Sequence, residues 1–128
     1  MGYEKSNNLS SFLKVYNKLE QLIVDFGEAL TGVEGRYHKG NRPRFLDSLN
    51  VLVKSEIVLI ELLADVNSLR RYRNGLVHGT DHVGSPAMLR RLKEIYEKLE
   101  GVYNVFLDNG RTIPDTVEWK ESIRKLNE

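Results

Sequence analysis

Cysteine is absent from this chain of 128 residues, which excludes a disulfide framework and any thiolate metal site and leaves it suited to a reducing cytosol. Histidine is scarce, at positions 38, 78 and 82 only. His78 and His82 have the i, i+4 spacing of a helical zinc pair, but Gly79 stands where the H-E-x-x-H pattern needs its glutamate, so neither a metal nor another cofactor is expected. Long apolar runs are missing as well. The longest, Ile57 to Ile60, falls far short of the ~20 residues of a membrane span, and the first residues lack the apolar core of a signal peptide. A soluble, cytoplasmic protein that does not engage a membrane is the expectation. No P-loop, G-x-S-x-G elbow or dinucleotide-binding glycine pattern is present, which removes the enzyme classes built on them.

The formal net charge is only +1, but it is unevenly placed. Residues 35–93 carry eleven Lys/Arg against five Asp/Glu, whereas residues 1–34 and 94–128 are both acidic, at −2 and −3. A basic centre on a near-neutral chain points to a local anion site such as a phosphate, not to general polyelectrolyte binding.

The apolar spacing is helical almost throughout, and nothing reads as a strand. Leu9, Phe12, Leu13, Tyr16, Leu19, Leu22, Ile23, Phe26 and Leu30 make one long amphipathic helix, with Asn8 or Ser10 available as N-cap. The stretch TGVEGRYHKGNRPRF then breaks regular structure and gathers Arg36, Lys39, Arg42 and Arg44 into a basic loop. A second helix is expected from about Leu46 to Ala64, apolar round most of its circumference and so either central or covered by another subunit. A third runs from about Asn67 to His78 and is closed by Gly79. Ser85 and Pro86 signal the start of a fourth, which ends near Asn109 and Gly110. Asp115 and Glu118 form a capping box for a short last helix bearing Trp119, Ile123 and Leu126. The expected fold is a single all-α domain over residues 1–128, a bundle of four long helices plus a short C-terminal one.

Two charges fall where apolar side chains are expected. On helix three, at about 100° per residue, Arg73 lies in the arc of Leu69, Tyr72 and Leu76, where an unpaired guanidinium would cost several kcal/mol. On helix two, Glu56 lies between Leu49, Ile60 and Leu63. We expect the two to face each other as a buried pair. Asn74 and His78 share a stripe four residues apart, so the amide can orient the imidazole, and a histidine in the last turn meets the negative end of the helix dipole.

The run Arg73-Asn74-x-x-x-His78-Gly79, near the end of the third of four main helices in a small all-α chain, resembles the signature of the HEPN superfamily (higher eukaryotes and prokaryotes nucleotide-binding domains). The resemblance implies a HEPN-like helical bundle that homodimerises so that two motifs line one cleft. Many members are metal-independent endoribonucleases of toxin–antitoxin and defence systems; others are inactive and bind RNA or nucleotides. Carried over, Arg73 and His78 become the catalytic pair and Asn74 the supporting polar residue; Glu56, from its helical placement alone, is expected to support Arg73. The chemistry suits these residue types: an imidazole moves the proton of a 2′-hydroxyl and a fixed cation stabilises charge developing on the phosphate. RNA contacts are expected from Arg36, Tyr37, Lys39 and Arg42 of the loop and from Arg70 of helix three. The expected partners are a second copy, RNA and an antitoxin protein. Thr80 departs from one toxin subgroup, which has tyrosine two residues after the histidine and a nucleotidyltransferase antitoxin. The alternative from another class is a catalytically silent helical interaction or dimerisation module in which Arg73 and Glu56 only hold the structure.

Overall fold

The computed structural model describes residues 2–32, 45–77 and 86–128, with side chains at 10–32, 45–75 and 86–128. Five α-helices account for most of them: α1 (Gly2–Thr31), α2 (Phe45–Lys54), α3 (Ile60–Val77), α4 (Pro86–Asp108) and α5 (Val117–Leu126). Among the described residues there is no strand, in keeping with the expected all-α bundle. No helix among them is long and apolar enough to cross a membrane.

α1 is the spine. It packs chiefly against α2 and α4, with α5 on α4 and lighter contacts from α3 to α1 and α2. Its core face carries Phe12, Tyr16, Leu19, Ile23 and Phe26, which meet Leu49 and Leu52 of α2, Val66 and Leu69 of α3, and Leu92, Ile95, Leu99, Val102 and Phe106 of α4 in one continuous buried cluster. Each such side chain contributes about 1.5–3 kcal/mol by leaving water, and this burial sets the helix registers. α1 and α2 cross most closely at Gly27, where an added Cβ would lie 2.9 Å from Cβ of the buried Ser48. Helix α1 begins at Gly2, ahead of the expected caps Asn8 and Ser10. Neither proline nor an internal glycine interrupts the intervening backbone, so the apolar stripe says nothing about where the helix starts.

The largest departure from the sequence expectation lies at α2. The helix expected to reach Ala64 ends at Lys54, and α3 starts at Ile60. The stop is a Schellman motif: Ile57 N–H donates to Leu52 O at 3.0 Å and Glu56 N–H to Val53 O at 3.0 Å, with Glu56 in the left-handed region at φ 61°. Ile57 and Leu52, the two apolar positions that such a motif brings together, are both buried. The end of α4 has the same hydrogen bonds, Arg111 N–H to Phe106 O and Gly110 N–H to Leu107 O, with Gly110 at φ 69° in the position that Glu56 holds in α2. α1 closes more simply, on Gly32 N–H to Glu28 O with φ 68°.

Asn127, just past α5, clamps the α2–α3 corner from outside. Its Nδ2 donates to Ile57 O and Ile123 O, both at 2.9 Å, and its Oδ1 accepts from Leu59 N–H at 2.8 Å. The N-cap of α5 is Thr116, whose side chain accepts from Trp119 N–H, one residue later than the expected Asp115. Thr116 is extended at φ −130°, ψ 155°, the geometry from which a short hydroxyl reaches the third amide of the helix.

Candidate functional site

Arg73 lies on α3 one turn beyond Leu69, which is buried in the core, and is itself half-buried. Its setting is an aromatic cluster. Phe12 stacks on Tyr16 with centroids 6.3 Å apart and 10° between planes, Tyr72 meets Phe12 edge-on at 5.0 Å, and Phe45 closes on Tyr16 at 6.3 Å. The guanidinium carbon of Arg73 stands 5.6 Å from the centroid of the Tyr16 ring, within reach of the attraction between a cation and a π face. Nη1 of Arg73 donates to Oδ1 of Asn74 at 3.2 Å. Nε is buried and, among the described residues, has no acceptor. The sequence expectation that Arg73 intrudes on the apolar side is therefore met, but what accompanies it is an amide and a ring.

Glu56 is not that companion. It sits exposed on the turn between α2 and α3, outside either helix, while Arg73 lies thirteen residues along α3 from Ile60, roughly 20 Å at the helical rise. The expected buried pair does not form, because the helix that would have turned Glu56 inward stops before it. Glu56 instead borders a groove of about 430 Å³ with Ser55, Ile113, Pro114, Asp115, Trp119, Lys120 and Ile123.

The carboxylate nearest in influence is Glu20, one turn along α1 from Tyr16. Burial is the main reason the Tyr16 phenol is pushed up to about 12; the charge of Glu20 and its hydrogen bonding add to the shift, and the positive charges of Arg73 and Arg70 oppose it. Tyr16 is thus a neutral phenol at any physiological pH, set between one acid and two arginines. Tyr16 and Glu20 are the residues that sequence reasoning missed. The available signal was a tyrosine hydroxyl within an otherwise apolar stripe, which must find a partner, and a glutamate four residues on.

Of the other expected site residues, Arg70 is exposed on α3. His78, Arg36, Tyr37, Lys39 and Arg42 lie outside the described residues, as do His38, His82, Gly79 and Thr80. One arginine of the basic centre is already engaged: Arg91 of α4 pairs with Asp65 of α3 at 2.8 Å and with Glu94 at 3.6 Å, a partly exposed arrangement that ties α3 to α4. Arg70, Arg71 and Arg73 form no ion pair within 4.0 Å among the described residues, which leaves the second half of α3 as an arginine-rich stretch without carboxylates in contact.

Chemically, the cluster offers a cation with no carboxylate partner among the described residues. The ring lies near the guanidinium, Nη1 is turned to Asn74 and Nε is enclosed, and a guanidinium so placed suits an oxyanion. No family model matches the sequence, and neither a curated protein nor a solved structure is significantly similar to it.

Proposed function

We propose that this chain is a metal-independent endoribonuclease of HEPN-like design, or a relative that binds RNA without cutting it, and that it works as a homodimer. Arg73 is the residue that carries the proposal. A guanidinium half-buried on α3, with an amide beside it and no acceptor for Nε among the described residues, is an expensive arrangement to keep for structure alone; an enclosed polar donor without an acceptor costs about 1–3 kcal/mol. A phosphate oxygen is the partner that such a donor set suits best. Asn74 follows Arg73 directly, and His78 follows one turn after Asn74 in the sequence, in the order of the RNxxxH motif. In this mechanism His78 takes the proton of the 2′-hydroxyl, the resulting alkoxide attacks the adjacent phosphorus, and Arg73 stabilises the charge that gathers on the phosphate oxygens. The His78 imidazolium returns the proton, through water, to the leaving 5′-oxygen as its bond to phosphorus breaks, and the upstream product ends in a 2′,3′-cyclic phosphate. Arg36, Tyr37, Lys39 and Arg42 hold the strand, with Tyr37 stacking on a base. In a toxin–antitoxin or defence setting the partner would be an antitoxin protein that covers this cleft.

The test is incubation with single-stranded RNA in EDTA, wild type beside His78→Ala and Arg73→Ala. Cleavage by wild type alone, with cyclic phosphate ends and no cleavage of DNA, is the expected result. Undiminished cleavage in His78→Ala overturns the proposed mechanism, and RNA binding without cleavage by any variant selects the silent, RNA-binding relative.

A further inference from the structure

Tyr16 does more than fill the core. We infer that Tyr16 is the positioning residue of the Arg73 site: its ring supports the guanidinium, and its place in the Phe12–Tyr16–Phe45 cluster holds that support still, so that Arg73 is ordered before an anion arrives. The inference deepens the proposed function and rests on Arg73 being the phosphate-binding group.

Three observations converge on it. First, the ring is packed against two others, by stacking with Phe12 and by the tilted contact with Phe45, and it is 1% exposed, so it has little freedom to follow the arginine. Second, the guanidinium has two contacts that orient it, the ring and Nη1 to Asn74, and its Nε is enclosed. A long side chain with about 2 kcal/mol of rotamer entropy is thereby ordered before any ligand arrives, which is what a phosphate site gains from preorganisation. Third, Tyr16 has a second task that phenylalanine could not perform. The negative charge of Glu20 acts on its phenol, together with the positive charges of Arg73 and Arg70. The chain contains a natural comparison in α4, where Tyr96 donates to Glu100 at 2.7 Å with the same i, i+4 spacing. Tyr96 makes no contact with a cation over its ring among the described residues, so that pair serves as the control.

The experiment follows the Arg73 side chain itself by nuclear magnetic resonance of the full chain, together with RNA affinity, in wild type, Tyr16→Phe, Tyr16→Leu, Glu20→Gln and Tyr96→Phe. The Nε–H of Arg73, assigned by its loss in Arg73→Lys, is expected to carry an upfield ring-current shift. That shift should persist in Tyr16→Phe and disappear in Tyr16→Leu. RNA affinity should fall by about 2- to 30-fold in Tyr16→Leu, the span of a cation–π contact, and by less in Tyr16→Phe and Glu20→Gln. Tyr96→Phe should leave both readouts at wild-type values. If Tyr16→Leu is too unstable to study, Tyr16→Met takes its place: loss of the ring-current shift with weakened RNA binding supports positioning, and loss of the shift with wild-type affinity overturns it. A ring-shifted Arg73 in a wild type that binds no RNA would sink the proposed function while the positioning role stood. Wild-type affinity retained in Tyr16→Leu would sink the positioning role alone.

Discussion

The two ends of α3 solve opposite problems. At the first, the α2–α3 corner, the turn is closed by hydrogen bonds: Ile57 N–H is bonded to Leu52 O, Ile57 O and Leu59 N–H are both bonded to Asn127, and Ile57 and Val58 are buried. Toward the second, Arg73 keeps a buried Nε without an acceptor among the described residues, in a stretch that also holds Arg70 and Arg71. One end has its turn hydrogen bonds closed; the other retains, among the described residues, a donor without an acceptor. The difference teaches where to look for function in an all-α chain, since a helix end that serves the fold has no reason to leave such a group open.

The comparison is most severely tested at Asn127. Asn127→Ala removes the bonds to Ile57 O and Leu59 N–H and should lower stability by about 2–4 kcal/mol, read as a shift of the urea midpoint. A loss below about 0.5 kcal/mol would mean that the corner stands without its clamp.

Next in size is the pH dependence of the Tyr16 site. Tyr16 is neutral when protonated, and its folded value of about 12 lies above the ordinary 10, so the folded state holds its proton more tightly than the unfolded chain does. That contribution is complete below about pH 10 and is lost as the pH rises toward 12, and a shift of this size corresponds to about 2–3 kcal/mol. Urea midpoints compared between wild type and Tyr16→Phe over pH 9 to 12 should show the wild type losing the more. Arg73→Met should push the Tyr16 phenol higher still, because the arginine charge is one of the effects that lower it.

A smaller effect is expected at Glu56, and it separates the turn from the ion pair that the helical periodicity led us to expect. A non-glycine residue at φ 61° costs about 1 kcal/mol, so Glu56→Gly should raise the melting temperature by a few degrees. Glu56→Gln should change stability by less than about 0.5 kcal/mol, as for other exposed substitutions, where a buried pair with Arg73 would have lost several. A large loss in Glu56→Gln would restore the pair.

These cases also show what was legible in the sequence. The helical periods, the single-face burial of α1 and α4, and the stop at Gly110 could all be read, because a glycine after an apolar stripe names its own backbone conformation. The stop at Glu56 could not. The motif there is the same, but its left-handed residue is a glutamate, and because Ile57 and Val58 are buried in the turn itself the apolar spacing runs on through the break. That one misplacement turned Glu56 inward on paper and produced a partner for Arg73 that the fold does not supply. Arg73 was read correctly as lying toward the inner side of α3, since its placement depends only on a helix that does form there, whereas Asn74, expected on the opposite side with Arg70 and Arg71, is partly buried and accepts a hydrogen bond from Arg73. Tyr16 and Glu20 escaped notice because their relation to Arg73 crosses from α1 to α3, and helical spacing reports only on neighbours within one helix.

The most direct measurement pairs stability with function in a single variant, Arg73→Met, which keeps the length of the side chain and removes both the charge and the unmet donor. Urea unfolding and cleavage of single-stranded RNA in EDTA are followed on the same preparation. Stability equal to wild type or higher by about 1 kcal/mol, with RNA cleavage and binding lost, is the expected result for a residue kept for its ligand at the expense of the fold. Stability lower by several kcal/mol, with RNA cleavage or binding as strong as in wild type, would contradict it and return Arg73 to the framework of the bundle.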